Sequence, residues 1–104
     1  MTITQALEQS KPGLVRRITD AIHKRQLNQR AEQTYLHWIS RFVLFNDPKD
    51  PETLESEDQQ RFLSYLSDGM RVSRARLNQA RQALRFFYED VLGKQTIPGG
   101  TAAA

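Results

Sequence analysis

The chain has 104 residues, a formal net charge of +3, 38% hydrophobic residues and no cysteine. That length suits one domain with a modest core, and the lack of cysteine excludes disulfides, cysteine-based zinc sites and thiol chemistry. The opening Met1–Ser10 stretch has neither the apolar core nor the basic flank of a signal peptide, and no apolar run approaches the ~18 residues of a membrane span, so a soluble cytoplasmic protein with no membrane partner is expected.

Residues 1–10 are weakly patterned and read as a flexible lead-in. Over Pro12 to Arg25, Leu14, Ile18, Ala21 and Ile22 form one apolar stripe at helical period, with Arg16, Arg17, His23 and Lys24 outside it. Pro12 is expected in the first turn of this helix, where a missing N–H costs little. Gln26 and Leu27 join it to a second helix, for which Asn28 is the N-cap. In that second helix Ala31, Tyr35, Trp38, Phe42 and Phe45 recur at steps of four and three, and Leu36, Ile39 and Val43 widen the stripe. It carries the only Trp and is expected to be the central packing element. Its opposite face reads Arg30, Gln33, His37, Ser40 and Arg41, polar and basic without an acid.

The run Asn46 to Pro51 is dense in breakers and reads as a loop. A third helix begins near Glu55 or Ser56 and stops around Asp68-Gly69, with Glu57 and Asp58 placed to complement the helix dipole. It buries Phe62, Leu63 and Leu66, with Tyr65 nearby. Ser73 caps a fourth helix reaching Leu92, lined on its core side by Leu77, Ala80, Leu84, Phe87, Tyr88 and Val91, with Gly93 just past its end. No repeat and no strand-like alternation interrupts this pattern. The expected fold is all-α, a compact bundle of four main helices whose core is Ala31, Trp38, Ile39, Phe42, Leu63, Leu66, Leu77, Leu84 and Phe87. The helical domain spans 11–94, and 95–104 is a linker or tail.

Charge is segregated along the chain. Lys11 to Arg30 carries six basic residues against Asp20; Asp47 to Asp58 carries six acids against Lys49; Arg71 to Arg85 carries five arginines and no acid. Folding such a chain gives one basic and one acidic surface if the basic segments meet. In the fourth helix Arg74, Asn78, Arg81 and Arg85 form a basic-polar stripe, Arg71 precedes it, and Arg74 and Arg76 lie in its first turn; Arg30 holds the same place in the second helix. Cations there oppose the macrodipole by roughly 0.3–1 kcal/mol each. A bound anion would offset that cost, although arginine is also a good enough helix former to be tolerated there without one.

These side chains suit nucleic acid, because Arg, Asn and Gln read base edges while Arg and His hold phosphates. The candidate DNA-binding residues are Arg30, Gln33, His37, Arg41, Arg71, Arg74, Arg76, Asn78, Arg81 and Arg85, with Arg16 and Arg17 on the first helix as a control for net charge. Catalytic readings find little support. His23 and His37 stand on different helices with no acid at ligand spacing, which argues against a metal site. There is no Gly-rich phosphate loop and no nucleophile elbow. Capping accounts for Glu57 and Asp58, and Tyr35 and Tyr88 read as packing residues with their hydroxyls at the rim. No catalytic residue, metal or cofactor is expected. Phe86 lies opposite the core stripe, so it either packs on the first helix or meets something outside the chain. A second reading is a helical protein–protein interaction module whose basic face binds an acidic partner.

The run Arg30-Ala31-Glu32-Gln33-Thr34-Tyr35-Leu36-His37-Trp38-Ile39-Ser40-Arg41-Phe42 resembles the second helix of the N-terminal core-binding, SAM-like domain of tyrosine recombinases, integron and phage integrase type. The resemblance continues through Glu57-Asp58 and Arg61-Phe62-Leu63-Ser64-Tyr65-Leu66, then Ser73, Leu77-Asn78-Gln79-Ala80, Ala83-Leu84, Phe86-Phe87-Tyr88 and Val91-Leu92-Gly93, covering about residues 14–94. It implies a four-helix DNA-binding domain that forms half of a clamp on the recombination-site duplex, second and fourth helices toward the major groove, without doing the chemistry. Implied partners are double-stranded DNA, a catalytic domain of the same polypeptide and other recombinase protomers on DNA. The family often has Thr where Ala31 and Arg76 stand, which implies different contacts there. Family catalysis also requires a His-x-x-Arg motif and a nucleophilic Tyr on a second domain. His23 is followed by Lys24-Arg25-Gln26 and His37 by Trp38-Ile39-Ser40, so the chain is expected to be a recombinase fragment that is not itself an enzyme.

Overall fold

The first helix is one that apolar periodicity does not disclose. In the structure, a computed structural model describing residues 2–47 and 49–93, α1 spans Ile3–Ser10 where a flexible lead-in was expected. Thr2 and Gln5 close a capping box: the Gln5 N–H donates to Thr2 Oγ1 at 3.1 Å and the Thr2 N–H to Gln5 Oε1 at 2.9 Å, satisfying two otherwise unpaired donors. Leu7 is fully buried and anchors the helix, and the Ser10 hydroxyl donates to Asp47 at 2.7 Å. The expected tail at 95–104 lies outside the described residues.

Helix α2 spans Leu14–Lys24 and buries Leu14, Ile18 and Ile22, the expected stripe. Pro12 falls before the helix, not in its first turn, because Gly13 takes the N-cap position with φ +89°, a left-handed conformation that costs glycine little. The helix ends in a Schellman arrangement: Gln26 sits at φ +58°, and the N–H groups of Gln26 and Leu27 donate to the His23 and Ile22 carbonyls at 3.0 and 3.2 Å.

Helix α3, Gln29–Phe45, is the central element. The Asn28 side chain accepts the Ala31 N–H at 2.8 Å, the expected N-cap. Trp38, Ile39, Phe42 and Val43 are buried, and the Phe42 ring lies 5.4 Å from Phe62, 6.2 Å from Tyr88 and 6.5 Å from Phe87. Aromatic pairs in such geometries are worth about 0.5–1.5 kcal/mol beyond the area they bury. Ser40, read as part of the outer face, is fully buried. With α1 packed on α3, that helix is covered over more of its circumference than a four-helix bundle would cover. Phe45, read as part of the apolar stripe, is instead exposed, stacked beside Tyr65 at 5.0 Å. Ala31 is half-buried and stands at the edge of the core.

After a short 3₁₀ turn at Pro51–Thr53, α4 spans Ser56–Ser64 and widens into a π turn over Tyr65–Gly69. Helix α5 spans Arg74–Phe86 and widens likewise over Phe87–Val91. Ser73 caps α5 as expected, accepting the Arg76 N–H at 3.2 Å. Phe62, Leu66, Ala80, Ala83, Leu84 and Phe87 complete the core, with Leu63 and Leu77 packed on it. Phe86 does not face outward: it is buried, with its ring 5.0 Å from that of Tyr35 on α3. Tyr88 is buried as well, its hydroxyl inside and not at the rim. The fold is all-α, with no strand among the described residues, and no helix there is long and apolar enough to cross a membrane.

Candidate nucleic-acid interface

The two helices singled out by their basic faces, α3 and α5, share the most extensive helix–helix contact of the bundle. Complementary apolar stripes fix that packing, and it brings the first turn of α5 against the middle of α3. Arg41 from α3 and Arg76 from α5 both stand over the Trp38 indole, each guanidinium carbon 5.8 Å from the ring centroid. A cation over an indole gains about 0.5–1 kcal/mol at an exposed site. The indole is itself almost wholly buried and so makes a rigid floor for both cations. From the residue order Trp38 reads only as a core residue; Arg41 three residues later is within reach of its ring, but the approach of Arg76 depends on the packing of α5.

His37 stands edge-on to the same indole at 4.8 Å. It is half-buried, and its Nε2 has no hydrogen-bond partner among the described residues. Burial first, then the charges of Arg41 and Arg76, hold its pKa below the usual histidine value. Both effects disfavour the imidazolium.

The other candidates are more exposed. Arg30 and Gln33 are exposed on the first turns of α3, and Arg74, Asn78, Arg81 and Arg85 on α5. Arg81 donates to Asn78 Oδ1 at 3.3 Å, tying those two side chains together. Arg85 is paired with Glu89 at 3.2 Å, a partner one helical turn away. Arg71 precedes α5 at φ +54°, an uncommon conformation for a residue with a side chain. It closes the end of α4, where the next N–H, of Val72, donates to the Leu66 carbonyl at 3.0 Å. Ser40 does not belong with this set, being buried.

Ion pairing separates the cations into two groups. Arg17 pairs with Glu52, His23 with Glu32, Arg25 with Asp90, and Arg61 and Lys49 with Asp58. The Arg25 pair is bidentate, its second contact at 3.0 Å. Among the described residues Arg30, Arg41, Arg71, Arg74, Arg76 and Arg81 make no ion pair. The acidic segment is consumed elsewhere. Asp58 accepts the Glu55 N–H at 2.8 Å, closing the start of α4; that hydrogen bond, aided by Lys49 and Arg61 against the opposing effect of burial, holds its pKa below the ordinary carboxylate value.

Residues 14–97 match the family described as the phage integrase N-terminal SAM-like domain. Two curated relatives, each called an integrase/recombinase, come from Escherichia coli and Pseudomonas aeruginosa. Both are 43% identical to this chain over 63 residues, which is 61% of the chain but 19% of either relative. The chain thus spans about a fifth of the length of these relatives. With the family match covering nearly all of α2 to α5, the chain belongs to the phage integrase N-terminal SAM-like domain family.

Proposed function

We propose that this domain binds duplex DNA at a recombination site, acting as one half of a clamp in a site-specific tyrosine recombinase. The observation that carries this reading is the set of six arginines on and beside α3 and α5 without acidic partners, while Arg17, Arg25, Lys49 and Arg61 elsewhere are paired. Phosphates are suitable anions for such a surface, since arginine binds them through two parallel N–H groups. Asn78 and Gln33, on the same helices, have the donor and acceptor pattern that reads adenine in a major groove. Strand cleavage and joining would be done by other parts of the same polypeptide and by further protomers on the DNA, in the cytoplasm.

The test is a salt titration of affinity for a duplex. Arg74→Glu with Arg81→Glu should weaken binding strongly and flatten the dependence of log affinity on log salt by about two units, because each lost phosphate contact removes about one. Arg16→Glu with Lys24→Glu changes the net charge equally on the exposed face of α2 and should do much less. Arg17 is unsuitable for this control, because it pairs with Glu52 and donates to the Val91 carbonyl at 3.1 Å. Equal losses from the two double variants would refute a specific surface. A shallow salt slope in the parent would point to an acidic protein partner.

A further inference from the structure

Arg41 and Arg76 reach one indole from two helices, and neither guanidinium donates a hydrogen bond or makes an ion pair among the described residues. Each guanidinium carbon lies 5.8 Å from the Trp38 centroid, so the two are no further apart than twice that distance. Both cations bear on one ring and both act on His37, so an oxyanion received there would be attracted by both.

His37 borders this pair. The charged groups acting on it are Arg41 on its own helix and Arg76 on α5, and no carboxylate does so. On the elements packed on α3, Glu8 of α1 accepts the Gly13 N–H and Asp58 of α4 accepts the Glu55 N–H, with Asp20 on α2 and Glu57 on α4 the remaining acids; on α3 itself Glu32 contacts His23.

We propose that Arg41, Arg76 and His37 form one phosphate site on the Trp38 floor, and that a DNA phosphate seated there is bound together with a proton on His37. This rests on the DNA-binding reading above and adds the linkage to protons. Without DNA, burial and two neighbouring cations disfavour the imidazolium. A phosphodiester neutralises those cations and adds a negative charge, so the imidazolium becomes favourable. The histidine pKa is higher in the complex than in the free protein, so affinity rises as pH falls through the bound value and levels off below the free value. Uptake of one proton limits the gain to about tenfold per pH unit.

The experiment measures affinity of the full chain for a fluorescent duplex between pH 5.5 and 8 at fixed ionic strength. The parent and His23→Gln are expected to gain several-fold on acidification, and His37→Gln to lose that gain whatever its affinity at pH 8. His23, exposed and paired with Glu32, serves as the titrating control outside the site. In parallel, the His37 ring-proton resonance is titrated with and without duplex, and its pKa should rise on binding. A parent that binds DNA with the same pH profile as His37→Gln, or a His37 titration unmoved by duplex, overturns the proton linkage. A parent that binds no duplex at any pH overturns the DNA-binding reading itself, so the two failures are distinct.

Discussion

The α2 side of the molecule and the α3–α5 side carry the same kinds of cation but pair them to different extents, with Arg16 and Lys24 making no ion pair on α2 and Arg85 making one on α5 among the described residues. On α2 and its C-terminal turn, Arg17, His23 and Arg25 reach acids on distant parts of the chain: Glu52, Glu32 and Asp90. These pairs fasten α2 to the loop before α4, to α3 and to the end of α5. On α3 and α5, Arg30, Arg41, Arg74, Arg76 and Arg81 have no acid to meet. Exposed pairs contribute little individually, so the distinction concerns availability more than stability. A cation already paired must give up its partner to hold a phosphate; an unpaired one does not.

The sharpest way to break this comparison is to remove what lies beneath the unpaired side. Trp38→Ala should cost roughly 3–5 kcal/mol of stability, read by thermal or urea unfolding, and should also remove the floor under Arg41 and Arg76. A variant that melts like the parent would mean that the two arginines do not rest on a structural residue. Leu7→Ala, on α1, should cost roughly 2–5 kcal/mol yet leave the duplex affinity of the folded protein unchanged. If it abolished binding while the protein stayed folded, α1 would have to be counted with the binding surface.

Asp58 represents the paired acids. Its folded-state pKa is depressed, so its contribution is complete above the unfolded carboxylate value near pH 4 and is lost as pH falls through the folded value. Asp58→Ala should cost about 0.5–2 kcal/mol at pH 7, as for other helix caps, and the gap in melting temperature should narrow toward pH 2. A gap that persists in acid would assign the loss to packing. Smaller still is the effect at Arg71. A non-glycine residue at φ +54° carries a conformational cost of about 1 kcal/mol, so Arg71→Gly should raise the melting temperature slightly. The same change should lower duplex affinity. A rise in stability with unaltered affinity would remove Arg71 from the surface.

The sequence made the helices from α2 to α5 legible because their apolar stripes are long and their caps, Asn28 and Ser73, are of the preferred kinds. Helix α1 escaped because eight residues with a single fully buried side chain produce little periodic signal; its legible mark was Thr2 three residues before Gln5. Ser40 reads as an outer-face residue by spacing, yet the fold buries it completely. The stripe of basic residues could be read from spacing, but the division between paired and unpaired cations could not. Arg17 and Glu52 are 35 residues apart, and Arg25 and Asp90 are 65 apart, so only the fold decides which charges meet. For the same reason, the convergence of Arg41 and Arg76 on Trp38 was not visible in the order of residues.

The π turn that ends α5 bears on how far this chain tolerates changes in length. Its closing hydrogen bond runs from the Leu92 N–H to the Phe87 carbonyl at 2.9 Å, five residues apart instead of four, so the last turn holds one residue more than an α-helical turn would. That widening accompanies the consecutive burial of Phe86, Phe87 and Tyr88, which a regular helix would spread over about 200° of its circumference. Deleting a single residue from Phe87–Val91 and letting the turn tighten to α-helical spacing would shorten the helix by about 1.5 Å and leave the residues after the deletion on nearly their former bearing. The extra residue of α5 is thus held within one turn, so this is where the helix best tolerates a change of length while the part before it keeps its buried face.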